Sequence, residues 1–492
     1  MTAMLTRTVL IVVALLAPAL AMARGAPESF ADLAEKLLPS VVNISTTQRV
    51  QAMAQGRGER GERSVPMPQF PPGSPFEDLF KDFFDRDRGG ERNDAPARRA
   101  TSLGSGFVID PTGFIVTNNH VIAEADEIFA IFADGQRLKA KLIARDAKTD
   151  LALLKVEAPK ALPALKWGSS EKARVGEWVL AIGNPFGLGG TVTAGIISAK
   201  ARDINSGQYD DFLQTDAPIN RGNSGGPLFN MAGEVIGVNS AIYSPTGGSV
   251  GIGFAIPSQL AANVVGQLKE HGRTRRGWLG VRIQTVTEEL AESLNLDKTR
   301  GALVASVQDD SPAKKAGIEP GDVIVTFAGK EVTAMRGLPR LVAEHAINAD
   351  AKVELWRKGK TMSVTVKVGE LDEKEQVAAL DPKSVPPAGA GDRTQALGLT
   401  FAALSPDLRK KFDIKDNVKG VVVTEVAPNS DAAQQGIRPG DVIVGVNGED
   451  VAGPKDVADK VKKVQTAKRN SVALYVERAG DRRWVAVKLG EG

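Results

Sequence analysis

Ser224 stands in Gly222-Asn223-Ser224-Gly225-Gly226-Pro227-Leu228, where flanking glycines let the backbone turn tightly and present the serine hydroxyl. This arrangement suits acyl transfer, with the N–H groups of Gly222 and Ser224 as the expected oxyanion hole. A serine nucleophile needs a base, and the base needs a group to orient it. The chain has 3 histidines, His120, His271 and His345. His120 lies in Thr117-Asn118-Asn119-His120-Val121-Ile122 at the end of a predicted strand. Asp150 lies in Thr149-Asp150-Leu151-Ala152-Leu153-Leu154-Lys155 at the start of another.

The serine string also satisfies G-x-S-x-G, a strand-to-helix elbow whose partners follow in the order Ser, acid, His. No aspartate separates Ser224 from His271, and the residues after Ser224 read as strand, turn and strand, which excludes the elbow. His120, Asp150, Ser224 is the order used on double-barrel serine hydrolases. Asp216, in Gln214-Thr215-Asp216-Ala217-Pro218-Ile219-Asn220, is closer to Ser224 in sequence. It leads directly into the serine loop and is expected to brace backbone there.

These residues need a scaffold of strands, and the chain supplies one. Short apolar runs at 106–109, 114–117, 151–156, 178–182, 192–198, 235–242 and 250–256 alternate with Gly, Asn and Pro turns and with no regular helix. An antiparallel barrel or sandwich is expected. At 492 residues, and roughly 100 to 200 residues per domain, the chain has room for about three domains. Hydrophobic residues at 42% and charged residues at 25% exclude a wholly disordered or multi-spanning membrane chain. Lys plus Arg total 62 against 59 Asp plus Glu, too even a balance to argue for nucleic acid. Cys is absent, which removes disulfides, thiolate metal sites and a cysteine nucleophile together. With so few histidines, far apart in sequence, no metal and no cofactor is expected.

The N-terminus has Arg7, an apolar run over 9–16, and Ala21-Met22-Ala23 before Arg24. The run is short for a membrane span and carries a small-x-small cleavage pattern, so 1–23 is predicted as a secretory signal. The alternative is an uncleaved anchor, giving peripheral membrane contact. Within a Gly-, Pro- and charge-rich stretch at 48–100, Pro75-Phe76-Glu77-Asp78-Leu79-Phe80-Lys81-Asp82-Phe83-Phe84 has helical apolar spacing. It is expected to dock on its own domain or on another subunit. Further on, Ala316-Gly317-Ile318-Glu319-Pro320-Gly321-Asp322-Val323-Ile324-Val325 recurs as Gln435-Gly436-Ile437-Arg438-Pro439-Gly440-Asp441-Val442-Ile443-Val444. Upstream, Trp278-Leu279-Gly280-Val281 corresponds to Ala396-Leu397-Gly398-Leu399. Two copies of one module follow, joined by a Pro- and Ala-rich linker at 371–394.

Taken with Ala181-Ile182-Gly183-Asn184-Pro185-Phe186-Gly187 and Gly251-Ile252-Gly253-Phe254-Ala255-Ile256-Pro257, the His120, Asp150 and Ser224 strings closely resemble those of the HtrA/DegP family of secreted serine proteases. The resemblance covers nearly the whole chain. It implies a mainly β chain: a chymotrypsin-like double β-barrel protease domain at 24–260, then two PDZ domains, small α+β barrels, at 261–370 and 395–492. It implies a periplasmic serine endopeptidase of unfolded or misfolded envelope proteins, acting without ATP and assembled as trimers or multiples of trimers, with a chaperone role in some members. By the same resemblance Ser224 is the nucleophile, His120 the base, Asp150 its orienting acid, and Ile242 and Ile252 the pocket walls. No Asp or Glu adjoins those walls, so small aliphatic side chains should fit best. The strand Gly251 to Phe254, with Gly253 and Phe254, is expected to pair with substrate backbone. The PDZ loops Trp278, Leu279, Gly280, Val281 and Leu397, Gly398, Leu399 are expected to receive C-terminal peptides and to drive activation. Ala396 stands in the second copy where the first has Trp278, and Phe401 is a candidate to occlude that second groove. The missing cysteines depart from members with a disulfide in the early loop, and redox control there is not expected.

Overall fold

The computed structural model describes residues 27–49, 99–184, 190–220, 222–244, 248–371, 393–467 and 469–489. The predicted signal, the 75–84 segment and nearly all of the linker lie outside the described residues. The chain divides into two compact units, Met1–Thr274 and Arg275–Gly492.

In the first unit the strands are β1 (Val41–Arg49), β2 (Arg99–Asp110), β3 (Phe114–Asn118), β4 (Glu127–Ile131), β5 (Arg137–Asp146) and β6 (Leu151–Val156), then β7 (Trp178–Gly183), β8 (Thr191–Arg202), β9 (Phe212–Thr215), β10 (Pro227–Phe229), β11 (Val235–Ile242) and β12 (Gly253–Pro257). They close into two barrels, in the orders β1-β2-β3-β6-β5-β4 and β10-β11-β12-β9-β8-β7. Closure removes exposed strand edges. Val42, Ile44, Val108, Ile115 and Leu154 fill the first barrel, and Val179, Ile197, Leu213, Leu228 and Ile236 fill the second. A third cluster, including Phe107, Leu153, Ile182, Phe229 and Val238, takes side chains from both barrels and binds them into one unit.

The helix Ser258–His271 extends this unit past the expected boundary at 260. Ala261, Val264, Val265 and Leu268 repeat at helical spacing and are buried against the inter-barrel cluster. Burying such side chains contributes on the order of 1.5–3 kcal/mol each for Val or Leu. Gly272, left-handed at φ 67°, ends the helix, its N–H donating to Leu268 O.

The second unit contains both modules. The first has β13 (Gly277–Trp278), β14 (Val281–Thr285), β15 (Ala302–Val307), β16 (Val323–Phe327), β17 (Lys330–Glu331), β18 (Asp350–Arg357), β19 (Lys360–Lys367) and β20 (Gly369–Glu370). The second has β21 (Arg393–Ala396), β22 (Leu399–Ala403), β23 (Val421–Val426), β24 (Val442–Val446), β25 (Glu449–Asp450), β26 (Ser471–Arg478) and β27 (Asp481–Lys488). The repeated Gly-Asp has a structural meaning. Asp322, 1% exposed, accepts from Arg357 Nε at 2.6 Å and from a terminal guanidinium nitrogen at 2.7 Å. Asp441, equally buried, accepts from Arg478 Nε and at 2.6 Å from its terminal nitrogen. Each Asp also accepts the backbone N–H three residues before it, from Glu319 and Arg438. A bidentate, fully hydrogen-bonded pair is the form in which a buried carboxylate is tolerated.

The modules pack on each other. Tyr475 and Trp484 stack with centroids 4.6 Å apart within a cluster that includes Leu290, Leu303, Val323 and Val325 of the first module. Tyr475 Oη donates to Ala305 O at 2.6 Å, and Gln284 exchanges two hydrogen bonds with the Trp484 backbone.

Candidate active site

Asp150 ends the turn before β6 in a left-handed conformation, φ 56°. Its carbonyl accepts from Asn118 Nδ2 at 2.8 Å and from the Asn119 N–H at 3.1 Å, which fixes a backbone geometry that non-glycine residues seldom adopt. His120 sits one turn away on the short helix Asn119–Ile122 that caps β3. The two residues are joined twice: the His120 backbone N–H donates to Asp150 Oδ1 at 2.9 Å, and Nδ1 lies 2.7 Å from Oδ2. With Nδ1–H given to the carboxylate, Nε2 becomes the proton-transfer atom of the ring. Ser240 completes the group. Its Oγ–H donates to Asp150 Oδ2 at 2.9 Å, and its carbonyl accepts from Ser224 Oγ at 3.4 Å. The structure thus gathers the three residues singled out from sequence around Ser240, which sequence reasoning missed. Asn239 and Ser240, both 0% exposed in a wholly buried strand, were the available signal: a polar pair there needs partners.

Gly222 and Gly225 shape the serine loop. Gly222 has φ 99° and Gly225 φ 85°, and a Cβ on Gly225 would fall on Ser105 O and Thr117 Oγ1. The loop can approach β2 and β3 only because that side chain is missing. Among the described residues, the amide N–H groups of Gly222 and Ser224 meet no protein acceptor.

Asp216 accepts the Ile196 N–H at 2.7 Å and braces β8. The substrate strand needs correction. β12, with Gly253 and Phe254, is paired on one side with β11 and on the other with β9, so neither edge can take a further strand. Phe254 is 6% exposed and lies edge-on to Phe212 in the core. Among the described residues it is the end of β11, past the short β10, that keeps one edge without a strand partner. β10 pairs no further than Val238, and Tyr243 N–H donates to Ile252 O, toward β12. Because successive residues of a strand point their main-chain groups to opposite sides, Ile242 offers its N–H and C=O on the side of Ser224. The Ile242 side chain is itself buried, and Ile252 is half-buried against the inter-barrel cluster.

In the first module, among the described residues β14 pairs with β15 and with no other strand, so its other edge lies unpaired beside the Trp278-Leu279-Gly280-Val281 loop. Gly280 has φ 77°. In the second module β22 is paired on both edges, with β23 and with β21. Phe401 is fully buried in that module's core. Of the other histidines, His345 lies edge-on to Phe327 and His271 closes the helix Ser258–His271. Among the described residues no group of three or more His, Asp or Glu is arranged to hold a metal, and no helix is long and apolar enough to cross a membrane.

Two barrels meeting at a His, Asp and Ser cluster, followed by two peptide-binding folds, define a trypsin-like serine endopeptidase with paired PDZ domains. Residues 104–238 match the family model described as trypsin-like peptidase domain, and 277–368 and 422–478 match two PDZ domain models. The chain belongs to the DegP-like, HtrA-type family of serine endoproteases. It is 44% identical over 476 residues to a probable periplasmic serine endoprotease DegP-like of Brucella suis biovar 1 (strain 1330), covering 94% of this chain and 90% of the relative. It is 43% identical over 486 residues to a protein of the same description from Pseudomonas fluorescens, covering 98% of each. Among solved structures, HtrA-type protease AlgW with decapeptide is 40% identical with a TM-score of 0.54, covering 70% of this chain and 99% of that one.

Proposed function

We propose that this serine endopeptidase degrades unfolded or misfolded proteins in the periplasm, with Ser224 as nucleophile, His120 as base and acid, and Asp150 as the orienting carboxylate. The observation that carries this is the Asp150 carboxylate, which holds His120 by ring and backbone together while Ser240 links it to Ser224. Ser224 Oγ attacks the scissile carbonyl as His120 Nε2 takes its proton. The carbonyl oxygen becomes an oxyanion facing the Gly222 and Ser224 amides. On collapse, His120 returns the proton to the leaving amine and an acyl-enzyme remains. Water, deprotonated by the same imidazole, then releases the acid.

Substrate main chain runs along Ser240 and Ile242 of β11, which needs no side-chain identity and suits varied unfolded clients. Ile242 and Ile252 favour a small aliphatic residue before the cut. The free edge of β14 captures C-terminal peptides in the first module, and their binding activates cleavage. Periplasmic location follows the relatives' names and the predicted signal, and assembly as trimers or multiples of trimers follows from the family resemblance.

The test is cleavage of reduced casein by the mature chain and by Ser224→Ala across temperature. Wild-type cleavage with a loss of about 10⁴- to 10⁶-fold in the variant is expected. Equal cleavage by both would remove Ser224 from the chemistry. If neither cleaves and both suppress aggregation of a heated client, the chain is a holding chaperone.

A further inference from the structure

Ser105 lies in β2 and is 0% exposed. Its hydroxyl donates to Gly222 O at 2.5 Å and accepts from the Asn184 N–H at 2.8 Å. Its backbone N–H donates to Ser224 O at 2.8 Å, and its carbonyl accepts from Thr117 Oγ1 at 2.7 Å. One first-barrel residue therefore takes hold of two alternate carbonyls of the serine loop. Those carbonyls, of Gly222 and Ser224, point back at Ser105, while the amides of the same two residues meet no acceptor among the described residues. Gly222 has no side chain to resist rotation about its own bonds.

We infer that Ser105 is a positioning residue for the oxyanion hole: its hydroxyl clamps the Gly222 carbonyl, and so fixes the Gly222–Asn223 peptide that separates the Gly222 and Ser224 amides and sets how they face the reacting carbonyl, and it ties that clamp to Asn184. This rests on Ser224 being the nucleophile. Removing the hydroxyl takes one partner from the Asn184 N–H and the side-chain clamp from Gly222 O, leaving the Gly222–Asn223 peptide held through the Asn223 N–H to Asn220 O. Misplacement of catalytic groups by an ångström costs up to about 10²-fold.

Ser105→Ala in the full chain, assayed on a short peptide p-nitroanilide, is expected to lower kcat by about 10- to 100-fold with KM within about 2-fold. The inhibition constant of a peptidyl boronate, whose tetrahedral adduct uses the same amides, rises by the same factor. Unchanged kcat and boronate affinity would overturn the inference, as would a loss accompanied by a lowered melting temperature and a raised KM. Ser224→Ala run alongside separates the failures: if it still cleaves, the triad assignment falls and Ser105 falls with it, whereas an inert Ser224→Ala beside a normal Ser105→Ala removes Ser105 alone.

A separate observation concerns the second PDZ module. β21 runs antiparallel to β22, with Arg393 opposite Ala402 and Ala396 opposite Leu399. Leu397 and Gly398 between them have φ 60° and 72°, the two positive φ values of a tight hairpin turn. β21 also packs against the helix Pro454–Thr466, and Ala396 and Leu397 rest on the module's core. A strand laid along β22 beside that helix, ending at the loop, occupies the position a captured C-terminal peptide takes by strand addition. We propose that β21 is the built-in occupant of the second groove, so that each chain captures one peptide, in its first module. This rests on capture by the first module.

Calorimetric titration of the full chain with a C-terminal apolar peptide is expected to give one site. Thr394→Pro removes an N–H from a hydrogen-bonded pair of the ladder, opposite Phe401, and disfavours the β21 strand, and is expected to expose a second site while casein cleavage persists. Two sites in the wild type, or one in Thr394→Pro, would overturn the proposal. No binding by either would overturn peptide capture as a whole.

Discussion

Asp150→Asn tests the triad most sharply because the structure fixes what the new amide meets. Three donors converge on the carboxylate: the His120 backbone N–H at Oδ1, and the His120 ring and Ser240 hydroxyl at Oδ2. An asparagine NH2 at the Oδ1 position would face the His120 N–H, donor against donor at 2.9 Å. It must therefore take the Oδ2 position. There it donates to Nδ1, which forces the ring proton onto Nε2, and an Nε2 already protonated cannot accept from Ser224. The expected loss in kcat is about 10⁴-fold, or about 5.4 kcal/mol at about 1.36 kcal/mol per factor of ten. KM should hold within about 3-fold, since no substrate contact is removed. The assay is steady-state hydrolysis of a peptide p-nitroanilide, with the melting temperature and labelling of Ser224 by a fluorophosphonate measured in parallel. A kcat loss below about 10-fold with fold intact would refute the assigned roles.

Other outcomes are expected. Asp322→Ala takes two hydrogen bonds from the Arg357 guanidinium, which keeps Gly317 O and Glu319, and orphans the Glu319 N–H, and should cost about 1–3 kcal/mol in denaturant unfolding; Asp322→Ala with Arg357→Met should recover part of it, and equal losses in single and double variants would deny the pair its role. Trp484→Ala, at a site 4% exposed between the modules, should cost about 3–5 kcal/mol and split unfolding of the second unit into two transitions; one unaltered transition would contradict the packing. Lys269, hydrogen-bonded to Asp110, holds that carboxyl below its ordinary value of 3.8. A depressed folded pKa adds stability that is present above the ordinary value and lost as pH falls below it. The gap in melting temperature between wild type and Lys269→Met should therefore be constant near neutrality and close on acidification below about pH 4; a gap that widened would reverse the sign.

Much of the site was legible because its residues sit in strings whose composition serves backbone geometry. Glycines around Ser224 announce a tight turn, and His120 and Asp150 each border an apolar run that became a strand. β3, β6, β7, β8, β11 and β12 coincide with such runs. β1 and β5 were less visible, since Ser45, Thr46 and Thr47 or Arg137, Lys139 and Lys141 interrupt their apolar residues, and β4 offers only the four apolar residues Ile128 to Ile131. They are strands because barrel closure gives their backbones partners, which no local pattern reports. The helix Ser258–His271 was passed over although Ala261, Val264, Val265 and Leu268 recur at its spacing.

Sequence by itself determined the class of chemistry, the chain order of His120, Asp150 and Ser224 and the duplication of the C-terminal module, because each depends on residue type and chain position. Tertiary structure alone decided that Ser240 joins Asp150 to Ser224, that Ser105 holds the serine loop, that β11 and not β12 keeps an unpaired edge among the described residues, and that β21 lies along β22. These turn on which hydrogen-bonding groups remain unpaired after folding. A backbone edge or a buried hydroxyl acquires its meaning from partners 12 to 117 residues away, and those partners exist only once the barrels have closed.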